Sequence, residues 1–343
     1  MFIALLARSR NGVHSIKKSS KLFLNPTRTM SSSVSPPLLL SPSQLRGLLP
    51  SDNAKSGTLR ILDATWFMPN SPRNPHEEFI QKRISGANFL DLDKVASPHE
   101  LGLKHMMPTE EAFAQACERF GIEPSSHVVI YDSHGVFSSP RALFMFRAFG
   151  HHNSSILDGG LPRWEAEGFP VATEPPVQAN HSSYPTPILD KGAIRSYEQV
   201  VSNSFPDPLA DPAVELVVDA RSQGRYIGTD PEPRPGMSSG HIPHSFSLPF
   251  NKFLKSHTAP TQYTTFLPVP ELLKALIDAI GADQAELVIQ GKRSITASCG
   301  SGMTAGVLWL GLKLLAAPKI AIYDESWTGY ASRSSSKIIK PAN

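Results

Sequence analysis

The chain states one pattern twice, and that repeat limits its architecture more than any other feature. In the first half, Leu59-Arg60-Ile61-Leu62-Asp63 reads as a strand ending in an aspartate, and the turn Ile84-Ser85-Gly86-Ala87-Asn88-Phe89 follows. Then come the strand Val128-Val129-Ile130-Tyr131-Asp132, a helix over 141–149, and the close Ile156-Leu157-Asp158-Gly159-Gly160-Leu161-Pro162-Arg163-Trp164. The second half answers with Leu216-Val217-Val218-Asp219, His241-Ile242-Pro243-His244-Ser245, Ile295-Thr296-Ala297-Ser298 and Ile320-Ala321-Ile322-Tyr323-Asp324-Glu325-Ser326-Trp327. Matched positions lie 156 residues apart at Asp63 and Asp219 and 167 apart at Asp132 and Cys299, as a duplication would leave them. Each half alternates short apolar strands with helices. That pattern predicts an α/β chain of two tandem domains, each a mainly parallel sheet with helices on both faces.

In such sheets the chemistry gathers beyond the carboxyl ends of the strands. Cys299 stands there, opening the run Cys299-Gly300-Ser301-Gly302-Met303-Thr304-Ala305 between the strand 294–298 and a largely buried helix over 306–315. A cysteine at such a turn faces backbone N–H groups with no partner inside the helix and the positive end of the helix dipole. Both favour the nucleophilic thiolate. The two glycines allow the loop to curl its amides toward one point. Cys299 can also be read as a small buried apolar residue, but a core cysteine has no need of Gly-Ser-Gly after it. Cys117, the other cysteine, lies in an amphipathic helix over 110–120 without a glycine loop and reads as structural. Asp132, the first-half counterpart of Cys299, cannot act as a thiol nucleophile. One half is therefore expected to be catalytic and the other a degenerate partner.

The expected organisation is a leader and disordered tail over 1–50, a non-catalytic domain over 51–171, a Pro-rich linker over 172–192, a catalytic domain over 193–335 and a tail over 336–343. The first acidic residue is Asp52, preceded by Arg8, Arg10, Lys17, Lys18, Lys21, Arg28, Arg46 and many serines. An Arg-, Lys- and Ser-rich, acid-free N-terminus predicts a mitochondrial transit peptide, with Met30 as a second start giving a cytoplasmic form. A merely disordered tail is the other reading of this segment. Without residues 1–30 the 33 Lys/Arg fall to 27 against 30 Asp/Glu, so no basic face for direct nucleic-acid binding is implied. Two cysteines and no Cys/His cluster give no disulfide framework, no metal site and no cofactor motif. No apolar run reaches the roughly 20 residues that span a membrane.

The segment Asp219-Ala220-Arg221-Ser222-Gln223-Gly224-Arg225-Tyr226-Ile227-Gly228-Thr229-Asp230-Pro231-Glu232-Pro233-Arg234 is too rich in Gly, Pro and charge to be core. Arg225 and Arg234 are candidates to hold a carboxylate with forked geometry, against local pairing with Asp230 or Glu232, which is the favoured reading of Arg221. Ser301 is a candidate donor to the thiolate or to a substrate oxygen, or a small loop residue. His241, His244, His151, His152 and Trp164 read as turn, packing or structural residues.

These motifs, together with Leu62-Asp63-Ala64-Thr65-Trp66 and Ser139-Pro140-Arg141 in the first half, resemble the two-domain rhodanese-like sulfurtransferases over about residues 55–335. Within that family the Cys-Gly-Ser-Gly loop is similar to that of the 3-mercaptopyruvate sulfurtransferases, whereas thiosulfate sulfurtransferases carry basic residues after the cysteine. The resemblance implies that Cys299 carries a persulfide and that Ser301 assists it. It further implies that Arg225, Arg234, Gly300, Gly302, Met303 and Thr304 bind a small-molecule sulfur donor. The acceptor would be cyanide, a thiol such as thioredoxin, or a sulfur-relay protein such as one feeding tRNA thiolation, with thiosulfate as the alternative donor. Three positions depart from the family: Arg83 where a histidine is frequent, Met303 for valine, and His244 for glycine. A phosphatase of similar fold would need an arginine at position 305, where Ala305 stands. A non-catalytic binding module suits the first half and not the second.

Overall fold

A computed structural model describes residues 36–49, 58–259 and 261–340. Strands β1 (Leu39–Leu40), β2 (Leu59–Asp63), β3 (Ala87–Phe89), β4 (His127–Tyr131) and β5 (Ser154–Leu157) form one parallel sheet in the order β1-β5-β4-β2-β3. Next along the chain are β6 (Ile194–Arg195), β7 (Leu216–Asp219), β8 (Phe246–Ser247) and an antiparallel hairpin of β9 (Leu254–His257) and β10 (Tyr263–Phe266). With β11 (Ile295–Ser298) and β12 (Ile320–Tyr323), the second sheet has the parallel order β6-β12-β11-β7-β8. The two orders are the same permutation, and helices flank both sheets. Val128, Val129 and Ile130 are all fully buried, as strands covered on both faces require.

Register fixes which residues correspond. Tyr131 lies beside Asp63, and Ser298 lies beside Asp219. The next residue in each strand-to-helix turn is Asp132 in one sheet and Cys299 in the other, at equivalent positions.

The two halves share one continuous core. Helix Ser139–Ala148 of the first packs on helix Ala305–Leu314 of the second, with Phe144 edge-on to Trp309 at 5.3 Å. Gly306 makes this approach close: a Cβ there would come within 2.6 Å of the Arg141 nitrogen. Two polar contacts cross the seam reciprocally. Asp324 accepts the Met107 N–H at 2.9 Å, and its counterpart Asp158 accepts the Phe266 N–H at 2.9 Å. Arg141, buried, adds another link by donating to Asp324 at 2.5 Å, while it holds the His105 carbonyl of its own half at 2.8 Å.

Three expected boundaries need correction. Leu39–Leu40 pairs with β5 and the helix Pro42–Leu48 starts at a Ser41 capping box, so 36–49 belongs to the first sheet and is not a tail. The transit-peptide reading of 1–35 lies outside the described residues. The 172–192 stretch is no free linker: Ala172 pairs with Arg83, and the Tyr184 hydroxyl meets His151 at 3.0 Å. At the other end Ile339 bridges His241, so the chain to 340 packs on the second half.

Gly306→Ala is expected to lower unfolding free energy by about 1–3 kcal/mol through overpacking against backbone, read as a lower denaturant midpoint. An unchanged midpoint would mean that the helices part at no cost.

Candidate active site

Strand β11 ends with Cys299 next, and helix Ala305–Leu314 begins six residues later. The loop between them turns at Gly302, where φ is +86° and a Cβ would meet the Asp324 carbonyl oxygen at 2.7 Å. Only glycine fits there. The turn directs the Gly302 N–H at the Cys299 sulfur, 3.1 Å away. The amides of Ser301, Met303 and Thr304 have no protein acceptor among the described residues. Cys299 itself is tied down on its other side. Its N–H donates to the Ser326 hydroxyl at 3.1 Å, and its carbonyl accepts from Trp327 at 2.9 Å.

The first half displays what such a loop wants. There Asp132 is fully buried, and one carboxylate oxygen accepts from the amides of Phe137, Ser138 and Ser139 at 2.9–3.0 Å. Its other oxygen accepts from His134 N–H at 3.0 Å. The first half fills its amide cradle with its own carboxyl group. In the second half the same position carries sulfur.

Cys299, Gly300, Ser301, Met303 and Thr304 line a cavity of about 250 Å³ together with Arg225 and Arg234. Trp66, Met68 and Phe137 close it from the first half. Gly302 does not line it and acts through its amide. Both arginines approach Gly300: a Cβ there would be 3.0 Å from Arg225 and 3.8 Å from Arg234. Their surroundings differ. Arg225 pairs bidentately with the buried Glu232 at 2.5 and 3.2 Å, the local pairing that its sequence context left open. Arg234 has no carboxylate within ion-pair distance among the described residues. Burial pulls its pKa below the usual guanidinium value, and the charge of Cys299 works the other way. Arg221 is structural, held by Asp219 at 2.6 Å and Glu232 at 2.7 Å and stacked over Trp327 at 4.0 Å.

The remaining candidates are placed elsewhere. His241 bonds the Tyr226 carbonyl at 2.9 Å and stacks on its ring, a packing role. His244 adopts φ +59°, the left-handed geometry that Gly86 holds in the first half. Arg83 is buried and donates to the backbone carbonyls of Ile80 and Glu174, so it is engaged in structure and touches no site anion. Cys117 is buried in helix Glu110–Arg119, where desolvation pushes its thiol up.

One pair escaped the sequence reading. His105 Nδ1 meets Asp93 at 2.9 Å, Asp93 also accepts from the Trp66 indole at 3.3 Å, and His105 Nε2 is buried without a partner. No local spacing announces this pair, because Asp93 and His105 belong to a helix end and an irregular loop.

A model of the rhodanese-like domain matches residues 41–167. The chain is 38% identical over 295 residues to the mitochondrial thiosulfate/3-mercaptopyruvate sulfurtransferase 1 of Arabidopsis thaliana, covering 82% of this chain and 74% of that one. This chain belongs to the rhodanese-like sulfurtransferases. It is 36% identical to the human 3-mercaptopyruvate sulfurtransferase, covering 80% of this chain and 86% of that one. The crystal structure of the 3-mercaptopyruvate sulfotransferase SseA of Escherichia coli superposes with a TM-score of 0.68 at 27% identity, covering 84% of this chain and 98% of that one. The chain is thus a sulfurtransferase enzyme of the 3-mercaptopyruvate or thiosulfate type.

As in the cradle, the sulfurtransferase's two halves diverge at the first strand end. Asp219 has Arg221 against it, whereas Asp63 has Thr65 and, among the described residues, no cation within ion-pair distance. Burial pushes the Asp63 carboxyl up to about 7, with hydrogen bonds from Thr65 opposing. The folded state therefore keeps a proton that the unfolded chain releases near 3.8, and stability falls as pH rises from about 4 to 7. Asp63→Asn is expected to flatten that part of the stability–pH curve. A curve unchanged by the substitution would contradict a raised Asp63.

Proposed function

We propose that Cys299 is the nucleophile of a two-step transfer that takes sulfur from 3-mercaptopyruvate and passes it to a second acceptor. The supporting observation is a cysteine sulfur facing a loop amide at 3.1 Å in a cavity that also holds Arg234. In the first step the Cys299 thiolate attacks the donor sulfur. An S–S bond forms, the donor C–S bond breaks with its electron pair on carbon, and pyruvate leaves as its enolate, which takes up a proton. Loop amides stabilise sulfur anion in each state, as an oxyanion hole does for oxygen. In the second step an acceptor thiolate or cyanide attacks the outer sulfur and restores the Cys299 thiolate.

The loop side chains of Gly300, Ser301, Gly302 and Met303 carry no charge, while the arginines stand on a different segment. That division suits a donor whose charge lies away from its sulfur. Mercaptopyruvate has a remote carboxylate, and thiosulfate is a compact dianion. Arg234 is the candidate for that carboxylate, and Arg225, already bound by Glu232, orients the loop side of the cavity. Ser301, on the cavity wall, is the candidate proton donor to the enolate. The acceptor is a small thiol, thioredoxin or a sulfur-relay protein. The basic leader and the mitochondrial name of the Arabidopsis relative support a mitochondrial location, with Met30 supplying a cytoplasmic form.

Thiosulfate is the second reading, favoured by the double name of that relative. Cys299→Ser is expected to abolish turnover with either donor and to lose the mass of one added sulfur after incubation with donor alone. Persistent turnover would remove Cys299 from the nucleophile role. Arg234→Ala is expected to cut kcat/KM for mercaptopyruvate roughly 10- to 150-fold, one lost charged contact of about 1.5–3 kcal/mol. Arg225→Ala, which also takes away one of the two arginines on the buried Glu232, is expected to lower thermal stability as well. Equal kinetics for wild type and Arg234→Ala would return that arginine to a structural role.

A further inference from the structure

A second cavity lies at the opposite ends of the sheets. About 530 Å³ in volume, it is bounded by Leu38 just before β1, Ala193 before β6 and Ser294 before β11. Cys299 follows the far end of β11, five residues on, or roughly 16 Å along an extended chain. Both halves supply its walls: Phe144 and Arg147 from helix Ser139–Ala148, Trp309 and Lys313 from helix Ala305–Leu314.

Its charge is one-sided. Of the cations facing it, Arg195 is neutralised by Glu215 at 2.6 Å. Arg147, Lys313 and Lys319 have no carboxylate within ion-pair distance among the described residues, and Asp190 is the single acid in the wall. Arg147 and Lys313 each sit in the last turn of a helix, where a cation ordinarily complements the dipole. That accounts for their sign and not for their burial. Arg147 turns one Nη to the Ser154 carbonyl and leaves a buried Nε without any partner. Burial lowers the Lys313 pKa; the Asp190 charge opposes that shift and the Arg147 charge adds to it. Half-buried, unpaired cations beside Trp309, Phe144 and Leu38 are costly unless an anion joins them.

We propose that this cavity binds a small organic anion, a carboxylate or sulfonate on an aromatic or short aliphatic body, at a site separate from Cys299. The volume falls within the range of small-molecule sites, and the lining combines an apolar wall with a few convergent cations. Since its walls come from both halves, an occupant would join them and raise the unfolding temperature.

The test titrates the full-length protein with 1-anilinonaphthalene-8-sulfonate and, in parallel, with the uncharged N-phenyl-1-naphthylamine. Saturable one-to-one binding of the sulfonate is expected, at least tenfold tighter than the neutral ring, with Trp309 emission quenched. Lys313→Gln with Lys319→Gln is expected to weaken the sulfonate about tenfold and to leave the neutral probe unchanged. Arg234→Ala is expected to leave sulfonate affinity as in wild type. Equal affinity for the two probes would overturn the anion site, and this comparison needs no variant to fold. Displacement of the sulfonate by 3-mercaptopyruvate, or its loss in Arg234→Ala, would place the binding at the Cys299 cavity and equally overturn it.

Discussion

Backbone amides left unpaired where a central strand turns into a helix set the terms for both halves of this protein. Such amides ask for an acceptor, and the fold places them beyond the carboxyl end of a buried strand, where little water competes. In the first half Asp132 answers with a carboxylate that gathers three amides on one oxygen and a fourth on the other. In the second half Cys299 takes the same position, with the Gly302 N–H on its sulfur and neighbouring loop amides open. One geometry thus gives a self-satisfied structural turn and a site able to hold sulfur anion. The residue at the equivalent position differs, and so does the loop after it, Ser133–Ser138 in one half and Gly300–Thr304 in the other.

The first half also shapes the cavity of the second. It supplies Trp66, Met68 and Phe137 to the wall over Cys299, and its Arg141 reaches across the seam to Asp324. The carbonyl of Asp324 is the atom packed against Gly302, so the seam and the loop conformation share a residue. The Asp158 and Asp324 contacts repeat one motif from each side, which is how a duplicated fold closes on itself. The second half alone would have its cavity open on one flank.

Much of this was legible in the sequence because strand ends carry conspicuous residues. Asp63, Asp132, Asp219 and Cys299 mark the ends of buried strands, and their spacing revealed the repeat before any pairing was known. The Gly-Ser-Gly loop announced its turn, since Gly302 occupies a conformation closed to other side chains. Two-residue strands such as Leu39–Leu40 were not legible, because so short a run has no period and is fixed only by its neighbour β5. Composition equally left Arg225 and Arg234 alike; the buried Glu232 separates them, and a tertiary ion pair has no spacing to read. The Asp93–His105 pair and the walls from Trp66 and Phe137 are products of folding in the same sense.

In the proposed mechanism an uncharged amide cradle handles sulfur while the donor's charge is met elsewhere, at Arg234. The most direct measurement is kcat/KM for 3-mercaptopyruvate and for thiosulfate side by side, with cyanide as acceptor and the Cys299→Ser protein as blank. A clear preference for mercaptopyruvate is expected. A preference for thiosulfate would contradict it, because a compact dianion would then be served well by a loop with no cation of its own.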